Sequence, residues 1–132
     1  MPEILKGYFW VGLGSALGGM GRFWLSGVVA QRFGETFPWG TMAVNVSGSF
    51  VIGIFASLTA PDGKWLVDAN LRQFVMIGLC GGYTTFSSFS IQTLNLIRDG
   101  QGLHAALNAV LSVVLCLVAV WAGFVCAQAL NR

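Results

Sequence analysis

Long apolar segments separated by short polar connections dominate the chain. Three stretches contain no Asp, Glu, Lys or Arg, and they cover residues 36–61, 73–97 and 100–131. Each is longer than the ~20 residues that a helix needs to cross a bilayer. An earlier apolar segment, from Ile4 to Phe33, is long enough to span if it tilts, although it contains Arg22. The pattern therefore predicts an all-α integral membrane protein with four transmembrane helices.

The polar connections set the expected helix bounds, which are 4–33, 41–58, 71–97 and 104–130. Turns at 37–40 and 98–100 are tight, and the longest polar connection covers residues 60–69. Helices joined by such short connections lie antiparallel to their neighbours. We therefore expect one four-helix membrane domain over residues 1–132, with no enzymatic domain outside the membrane.

Composition and charge agree with a lipid environment. The chain is 55% hydrophobic and 9% charged, whereas soluble proteins have roughly a quarter charged residues. A net charge of +2 is too small to indicate nucleic acid as a partner. The two sides of the predicted bundle carry similar basic charge: Lys6, Lys64, Arg72 and Arg132 on one, Arg22, Arg32 and Arg98 on the other. Because Lys/Arg bias sets orientation, this balance raises the hypothesis of dual topology and an antiparallel dimer.

The centre of the third predicted helix is a poor helix interior, because Gly81 and Gly82 are followed by Tyr83, Thr84 and Thr85. We expect a break at mid-membrane, with both glycines in conformations closed to other residues and Thr84 or Thr85 capping the second half. Released backbone groups at this depth are tolerated where they are buried or line a hydrated path. A glycine-rich packing kink is the alternative.

Other residues in the spans are candidates for an ion path. Phe86 and Phe89 share a helix face and present positive ring edges, although such pairs are more often core. Ser87 and Ser88 add hydroxyl groups, which also bond commonly to the preceding turn. Two polar stripes at four-residue spacing form either interhelical contacts or a pore wall; they comprise Thr41, Asn45 and Ser49 in the second helix and Asn108, Ser112 and Cys116 in the fourth.

The first helix carries two further signals. Gly14 and Gly18 form a GxxxG pair, which predicts close helix packing. Arg22 is either an interfacial residue that snorkels or a residue that attracts anions to a vestibule. No Asp, Glu or Lys lies deep in a predicted span, which disfavours a proton-coupled transporter.

Residues 81–90, GGYTTFSSFS, resemble the GGxTTFSTFS signature of the CrcB/Fluc family of fluoride channels. Thr41 after Gly40, Asn45, Arg22 and the order of four short spans support the resemblance over essentially the whole chain. It implies an antiparallel dual-topology homodimer in a bacterial inner membrane, with two fluoride pores and a structural sodium ion on the twofold axis.

By motif position, the resemblance implies that the backbone carbonyls of Gly81 and Thr84 bind sodium and that Phe86 and Phe89 line the pore. It makes Asn45 the pore asparagine and places Ser112 in a polar track. The chain departs from the family pattern at Tyr83, Ser88 and Cys116, where an aliphatic residue, threonine and a hydroxyl residue are more usual.

The function expected from this resemblance is passive export of cytoplasmic fluoride, which lowers fluoride toxicity without fuel, catalysis or a catalytic cofactor. Two alternatives stay open. One is a small dual-topology transporter of the multidrug-resistance type, which would need a membrane-embedded glutamate that this chain lacks. The other is a structural membrane subunit that transports nothing, which a broken third helix disfavours.

Overall fold

The computed structural model describes all residues, Met1–Arg132, as helices joined by short connections. In chain order the elements are α1 (Glu3–Phe33), α2 (Trp39–Leu58), α3 (Ala69–Gln73), a π-helical segment (Phe74–Cys80), α4 (Gly81–Tyr83), α5 (Phe86–Arg98) and α6 (Gly102–Leu130). The four predicted spans begin and end within two residues of the corresponding helical runs, the third of which is Ala69–Arg98.

Local chemistry explains where several helices end. Gly34 follows α1 with a φ of 80°, and Gly100 follows α5 with a φ of 77°. Such positive values are costly for residues with a side chain, so each glycine allows the chain to leave a helix abruptly. At the start of α3, the Asp68 carboxylate accepts a hydrogen bond of 2.9 Å from the backbone N–H of Leu71. This N-cap contributes to fixing the beginning of the third run.

Three helical runs are long and apolar enough to cross a membrane: Trp39–Leu58, Ala69–Arg98 and Gly102–Leu130. The helix α1 has the required length, at 31 residues, but it is not among them. Its many glycines and the cation Arg22 reduce its mean hydropathy. The structure therefore supports three membrane-capable runs on composition.

Glycines bring α1 into backbone contact with the third run. A Cβ atom added at Gly18 would lie 2.8 Å from the backbone nitrogen of Tyr83, and one added at Gly78 would lie 3.0 Å from the Cα of Gly14. The first distance is shorter than real Cβ contacts and the second is tighter than most of them, so Gly14 and Gly18 serve the close packing that their GxxxG spacing predicts. This contact fixes the third run against α1.

A second glycine contact joins α2 to α6. A Cβ atom at Gly123 would lie 2.8 Å from the backbone nitrogen of Ile54, and one at Gly53 would lie 3.1 Å from the carbonyl carbon of Val120. Arg72 then ties the third run to the end of α2, because its Nε donates to Thr59 Oγ1 at 3.0 Å. The helix α2 is thus held between α6 and the third run.

The outer surface of the bundle is apolar. Only 20 of the 132 residues are buried, and large side chains such as Phe23 (85% exposed), Leu103 (75%) and Trp121 (64%) lie outside. Soluble monomers rarely expose contiguous apolar surface on this scale. Lipid and further protein are the surroundings in which this exterior is stable.

The prediction for Gly81 and Gly82 was wrong in its detail. Gly81 has helical dihedral angles of −64° and −38°, and α4 includes both glycines. The extended residues are instead Thr84, with a ψ of 158°, and Thr85, with a φ of −152°. Gly82 is required for space, because a Cβ atom there would lie 2.6 Å from the carbonyl oxygen of Ser15. A glycine pair thus marked a helix contact, and the interruption follows it.

Two neighbouring glycines of α1 test this packing. Gly18→Ala places a methyl group against the backbone of the third run, whereas a Cβ atom at Gly19 meets nothing within 4 Å. Overpacking against backbone costs about 1–3 kcal/mol or more, so we expect Gly18→Ala to lower the thermal stability of the detergent-solubilised protein clearly. Gly19→Ala is the matched control and should leave it unchanged. Equal melting temperatures for both variants would contradict the contact.

Candidate functional site

Two hydrogen bonds hold the side chain of Asn45 against the backbone of Thr85. Asn45 Oδ1 accepts from the Thr85 N–H at 2.7 Å, and Asn45 Nδ2 donates to the Thr85 carbonyl oxygen at 3.0 Å. Thr85 is 8% exposed, so water does not replace these bonds readily. The carboxamide therefore satisfies both backbone groups of an extended residue, and it keeps one N–H free for another acceptor.

The pairing with Asn45 and the cap formed by Thr85 together remove the usual helical donors from two carbonyl groups. In a continuous helix the N–H of Thr85 would bond to the carbonyl of Gly81, and that of Ser88 would bond to Thr84. Here the Thr85 N–H bonds to Asn45, and the Ser88 N–H donates to Thr85 Oγ1 at 3.1 Å. Thr85 is thus the N-cap of α5, as one of the two predicted capping residues. The carbonyls of Gly81 and Thr84 lose their ordinary helical partners.

An open groove of about 400 Å³ lies beside this pairing, between α2, the third run and α6. It brings together six of the predicted site residues: Asn45, Gly81, Thr84, Phe86, Phe89 and Ser112. Its remaining lining is apolar or weakly polar, and no Asp, Glu, Lys, Arg or His contributes to it. The groove is therefore neutral, with hydroxyl, amide and aromatic groups as its polar features.

The two phenylalanines lie next to each other at the start of α5. Their ring centroids are 5.4 Å apart and the ring planes are inclined by 51°. Phe86 is 76% exposed, whereas Phe89 is only partly exposed. Both rings line the groove, so their edges are available to a small anion there.

The other predicted residues lie elsewhere. Arg22, Thr41 and Ser88 line a wider cavity of about 1200 Å³ formed by α1, α2 and α5. Thr85 lines both this wide cavity and the groove, so it marks the point where they approach each other. Ser87 lines neither space; it is exposed, and its Oγ lies 3.3 Å from Thr85 Oγ1. Apart from Ser87, the predicted site residues are thus divided between two spaces that both border Thr85.

Two polar atoms in the wide-cavity lining have no hydrogen-bond partner. They are Nε of Arg22 and Oε1 of Gln92, and both atoms are buried. Gln92 and Asn95, which both line this cavity, were not predicted from the sequence as site residues. With Ser88 and Asp99 they form a polar stripe at helical spacing along α5, and extending the search for such stripes beyond the first turn would have found them.

Tyr83 and the α6 stripe have defined contacts. The Tyr83 hydroxyl lies 2.8 Å from Ser47 Oγ, which joins α4 to α2. Ser112 and Cys116 line the groove, whereas Asn108 is fully buried and donates to Thr93 Oγ1 at 2.9 Å. No group of three or more His, Cys, Asp or Glu side chains is arranged to hold a metal ion.

Sequence comparisons agree with one family over almost the entire chain. The family described as CrcB-like protein, Camphor Resistance (CrcB), matches residues 9–124. A protein of Opitutus terrae named "Fluoride-specific ion channel FluC" is 64% identical over 124 residues, which cover 94% of each chain. Proteins with the same name from Methylocella silvestris and Rhodospirillum rubrum are 59% and 58% identical over 125 residues, covering 95% of this chain. This chain therefore belongs to the CrcB family.

Proposed function

We propose that this protein is one subunit of a fluoride-selective channel that lets fluoride leave the cell. The observation that carries the proposal is the identity of 58–64%, over at least 94% of this chain, to proteins named as fluoride-specific ion channels. At this identity the groove and its polar residues are expected to have the same use.

The chemistry of the groove suits a small, strongly hydrated anion. A selective pore must replace the water around fluoride with other donors. The free N–H of Asn45, nearby hydroxyl groups and the ring edges of Phe86 and Phe89 are of this kind. A narrow path lined in this way excludes the larger chloride ion by size.

The positions of charge favour passage over trapping. The groove lining contains no ionised side chain, so an anion there meets no fixed positive charge that would hold it. Arg22 lies instead in the wide cavity, whose lining also contains the acidic residues Glu35 and Asp99. Weak binding in the neutral groove meets the requirement that a conducting site release its ion readily.

The membrane potential supplies the driving force. An inside-negative potential drives an anion outward with about 2.3 kcal/mol per 100 mV. Passive flow is therefore sufficient to lower the fluoride concentration, and hence its toxicity, inside the cell. The protein needs no fuel and catalyses no reaction in this account, so it acts as a channel and not as an enzyme.

We place α1 in the membrane as the fourth span of a multi-pass protein of the bacterial inner membrane. At 1.5 Å per residue, its 31 residues extend for about 46 Å, which exceeds the ~30 Å hydrocarbon core. Arg22 lies 19 residues after Glu3, or about 28 Å along the axis. Its guanidinium is thus within reach of the far interface and of the wide cavity.

An ion path through the groove needs a second wall, and a second copy of the chain is the proposed wall. Phe86 is 76% exposed and Gly81 is exposed, although both border the groove. An anion between these groups and lipid would be poorly solvated. The near balance of basic residues on the two sides supports an antiparallel homodimer with two such paths.

We further propose a structural sodium ion where the two copies meet. The carbonyls of Gly81 and Thr84 have lost their helical donors, and oxygen atoms at a helix C-terminus suit a hard cation. Two copies would supply four such oxygens. When bound, sodium would supply positive charge near two anion paths, and its ligands would be backbone atoms.

Fluoride efflux from liposomes that contain only the purified protein tests the channel proposal. We expect rapid efflux, driven by a potassium gradient with valinomycin and followed with a fluoride electrode, and no chloride efflux. A transporter of the multidrug-resistance type would move organic cations instead, and a structural subunit would move neither. Absence of fluoride efflux from well-folded protein would contradict the proposal.

The phenylalanine pair provides the first variant test. Phe86→Ile and Phe89→Ile each keep an apolar side chain but remove a ring edge, so we expect fluoride efflux to slow by about tenfold or more. Phe50→Ile is the matched control, because Phe50 lies on α2 and does not line the groove. Unchanged efflux in both groove variants would reduce the two rings to core packing.

Adjacent glycines distinguish the dimer contact from packing within the chain. A Cβ atom at Gly81 meets only Met76 O, at 3.8 Å, whereas one at Gly82 lies 2.6 Å from Ser15 O. Gly81→Val should therefore preserve the fold of the single chain but abolish the dimer. The stabilisation of the dimer by sodium should be lost with it. Gly82→Val should destabilise the chain itself. Size-exclusion chromatography with light scattering in sodium and in N-methylglucamine buffers measures both effects.

A dimer of Gly81→Val that is unaffected by the exchange of sodium would contradict the sodium proposal.

The antiparallel arrangement is tested separately on the natural sequence with a cysteine tag at the N-terminus. Membrane-impermeant thiol reagents should label this tag from either side in about equal amounts, because the two copies insert oppositely. Labelling from one side alone would contradict it.

A further inference from the structure

Three hydrogen bonds connect Ser112, in the groove, to the backbone of α5. Ser112 Oγ lies 3.3 Å from Asn108 Oδ1, and Asn108 Nδ2 lies 2.9 Å from Thr93 Oγ1. Thr93 Oγ1 in turn lies 2.7 Å from the carbonyl oxygen of Phe89. Asn108 is 2% exposed and Ser112 is 6% exposed, so the hydrogen bond between these two side chains is buried.

The donor and acceptor of each of these three hydrogen bonds follow from the last group in the series, the Phe89 carbonyl. The carbonyl oxygen of Phe89 is an acceptor only, so the hydroxyl proton of Thr93 is committed to it. Thr93 Oγ1 must then accept from Asn108, which turns the NH₂ group of the carboxamide toward α5. Its carbonyl oxygen consequently faces Ser112. A hydroxyl group has one proton, and that of Ser112 is used for this oxygen.

We infer that Asn108 is a positioning residue that holds the Ser112 hydroxyl proton away from the groove, so that fluoride must turn this hydroxyl before Ser112 donates to it. The inference rests on the proposed channel function and adds a residue outside the groove lining. The resting Ser112 presents lone pairs to the groove, which repel an anion. Binding of fluoride therefore includes the loss of one buried hydrogen bond.

This arrangement weakens fluoride binding at Ser112 without removing the donor. A conducting site must bind its ion, yet release it quickly. Asn45 differs from Ser112, because the pairing of its carboxamide with Thr85 leaves one N–H permanently free. The groove thus combines a fixed donor from α2 with a donor from α6 that becomes available only at the expense of its bond to Asn108.

The test is the dependence of fluoride efflux on fluoride concentration in liposomes containing the full-length protein. Asn108→Leu keeps a similar shape but removes the acceptor, so the half-saturating fluoride concentration should fall about 2- to 10-fold, which corresponds to one hydrogen bond. Thr93→Val removes the acceptor for the Asn108 NH₂ group, so the carboxamide can rotate. This variant should also lower the half-saturating fluoride concentration. This second variant decides the question if Asn108→Leu does not assemble.

The shift must depend on the hydroxyl of Ser112. In a Ser112→Ala background, Asn108→Leu should leave the half-saturating concentration unchanged, which a general packing defect would not do. Ser49→Ala is the matched control. Ser49 also lines the groove, but its hydroxyl donates to the backbone carbonyl oxygen of Asn45 at 2.7 Å. In that background, Asn108→Leu should act as it does in the natural sequence.

Two outcomes distinguish the inference from the proposed function. If the natural protein releases no fluoride, the channel proposal itself fails. If it does release fluoride, but Asn108→Leu and Thr93→Val have the half-saturating concentration of the natural protein or act equally with and without the Ser112 hydroxyl, Asn108 has only a structural role.

Discussion

The pairing of the Asn45 carboxamide with the backbone of Thr85 is the interaction on which the rest of the site depends. It compensates for the helical bonds that are absent where Thr84 and Thr85 are extended. An unpaired backbone group in a low-dielectric interior costs on the order of several kcal/mol. The Asn45 side chain on α2 therefore stabilises the interruption of the third run. This interruption contributes backbone polar groups to the groove.

The same pairing links three proposed features of the protein. It diverts the N–H of Thr85 from Gly81 and places Thr85 as the cap of α5, so the carbonyls of Gly81 and Thr84 are without their usual helical donors. It positions Phe86 and Phe89 at the first turn of α5, beside the groove. It also separates the groove from the wide cavity that contains Arg22. A neutral groove therefore lies next to a cavity whose lining contains both basic and acidic side chains.

Several features were predictable from the sequence because they follow from local rules. Gaps between charged residues gave the helical runs, and the GxxxG spacing of Gly14 and Gly18 gave a close helix contact. Thr85 was one of two expected caps, since a threonine before an apolar turn satisfies free N–H groups. The family followed from a ten-residue motif with a specific order of glycine, threonine, phenylalanine and serine.

Other features depend on contacts between distant segments, which local rules do not contain. Gly81 and Gly82 were expected to break the helix, but the requirement for Gly82 comes from Ser15 on another helix. The bonds of Asn45 reach 40 positions along the chain. Likewise, the polarity of the Ser112 hydroxyl is set from Phe89 through two intervening side chains. Sequence spacing predicts which helix face each residue lies on. Its hydrogen-bond and packing partners on other helices follow only from the assembled bundle.

Fluoride efflux through Asn45→Leu, compared with Ser49→Ala in identical liposomes, tests the central role of the Asn45 pairing most directly. Leucine keeps the approximate shape of asparagine but removes both bonds to Thr85, whereas Ser49→Ala changes a groove hydroxyl bonded within its own helix. We predict that Asn45→Leu slows efflux by about tenfold or more, because two buried hydrogen bonds and one donor are lost. Ser49→Ala should remain within about twofold of the natural protein. Efflux through folded Asn45→Leu at the natural rate would contradict the account.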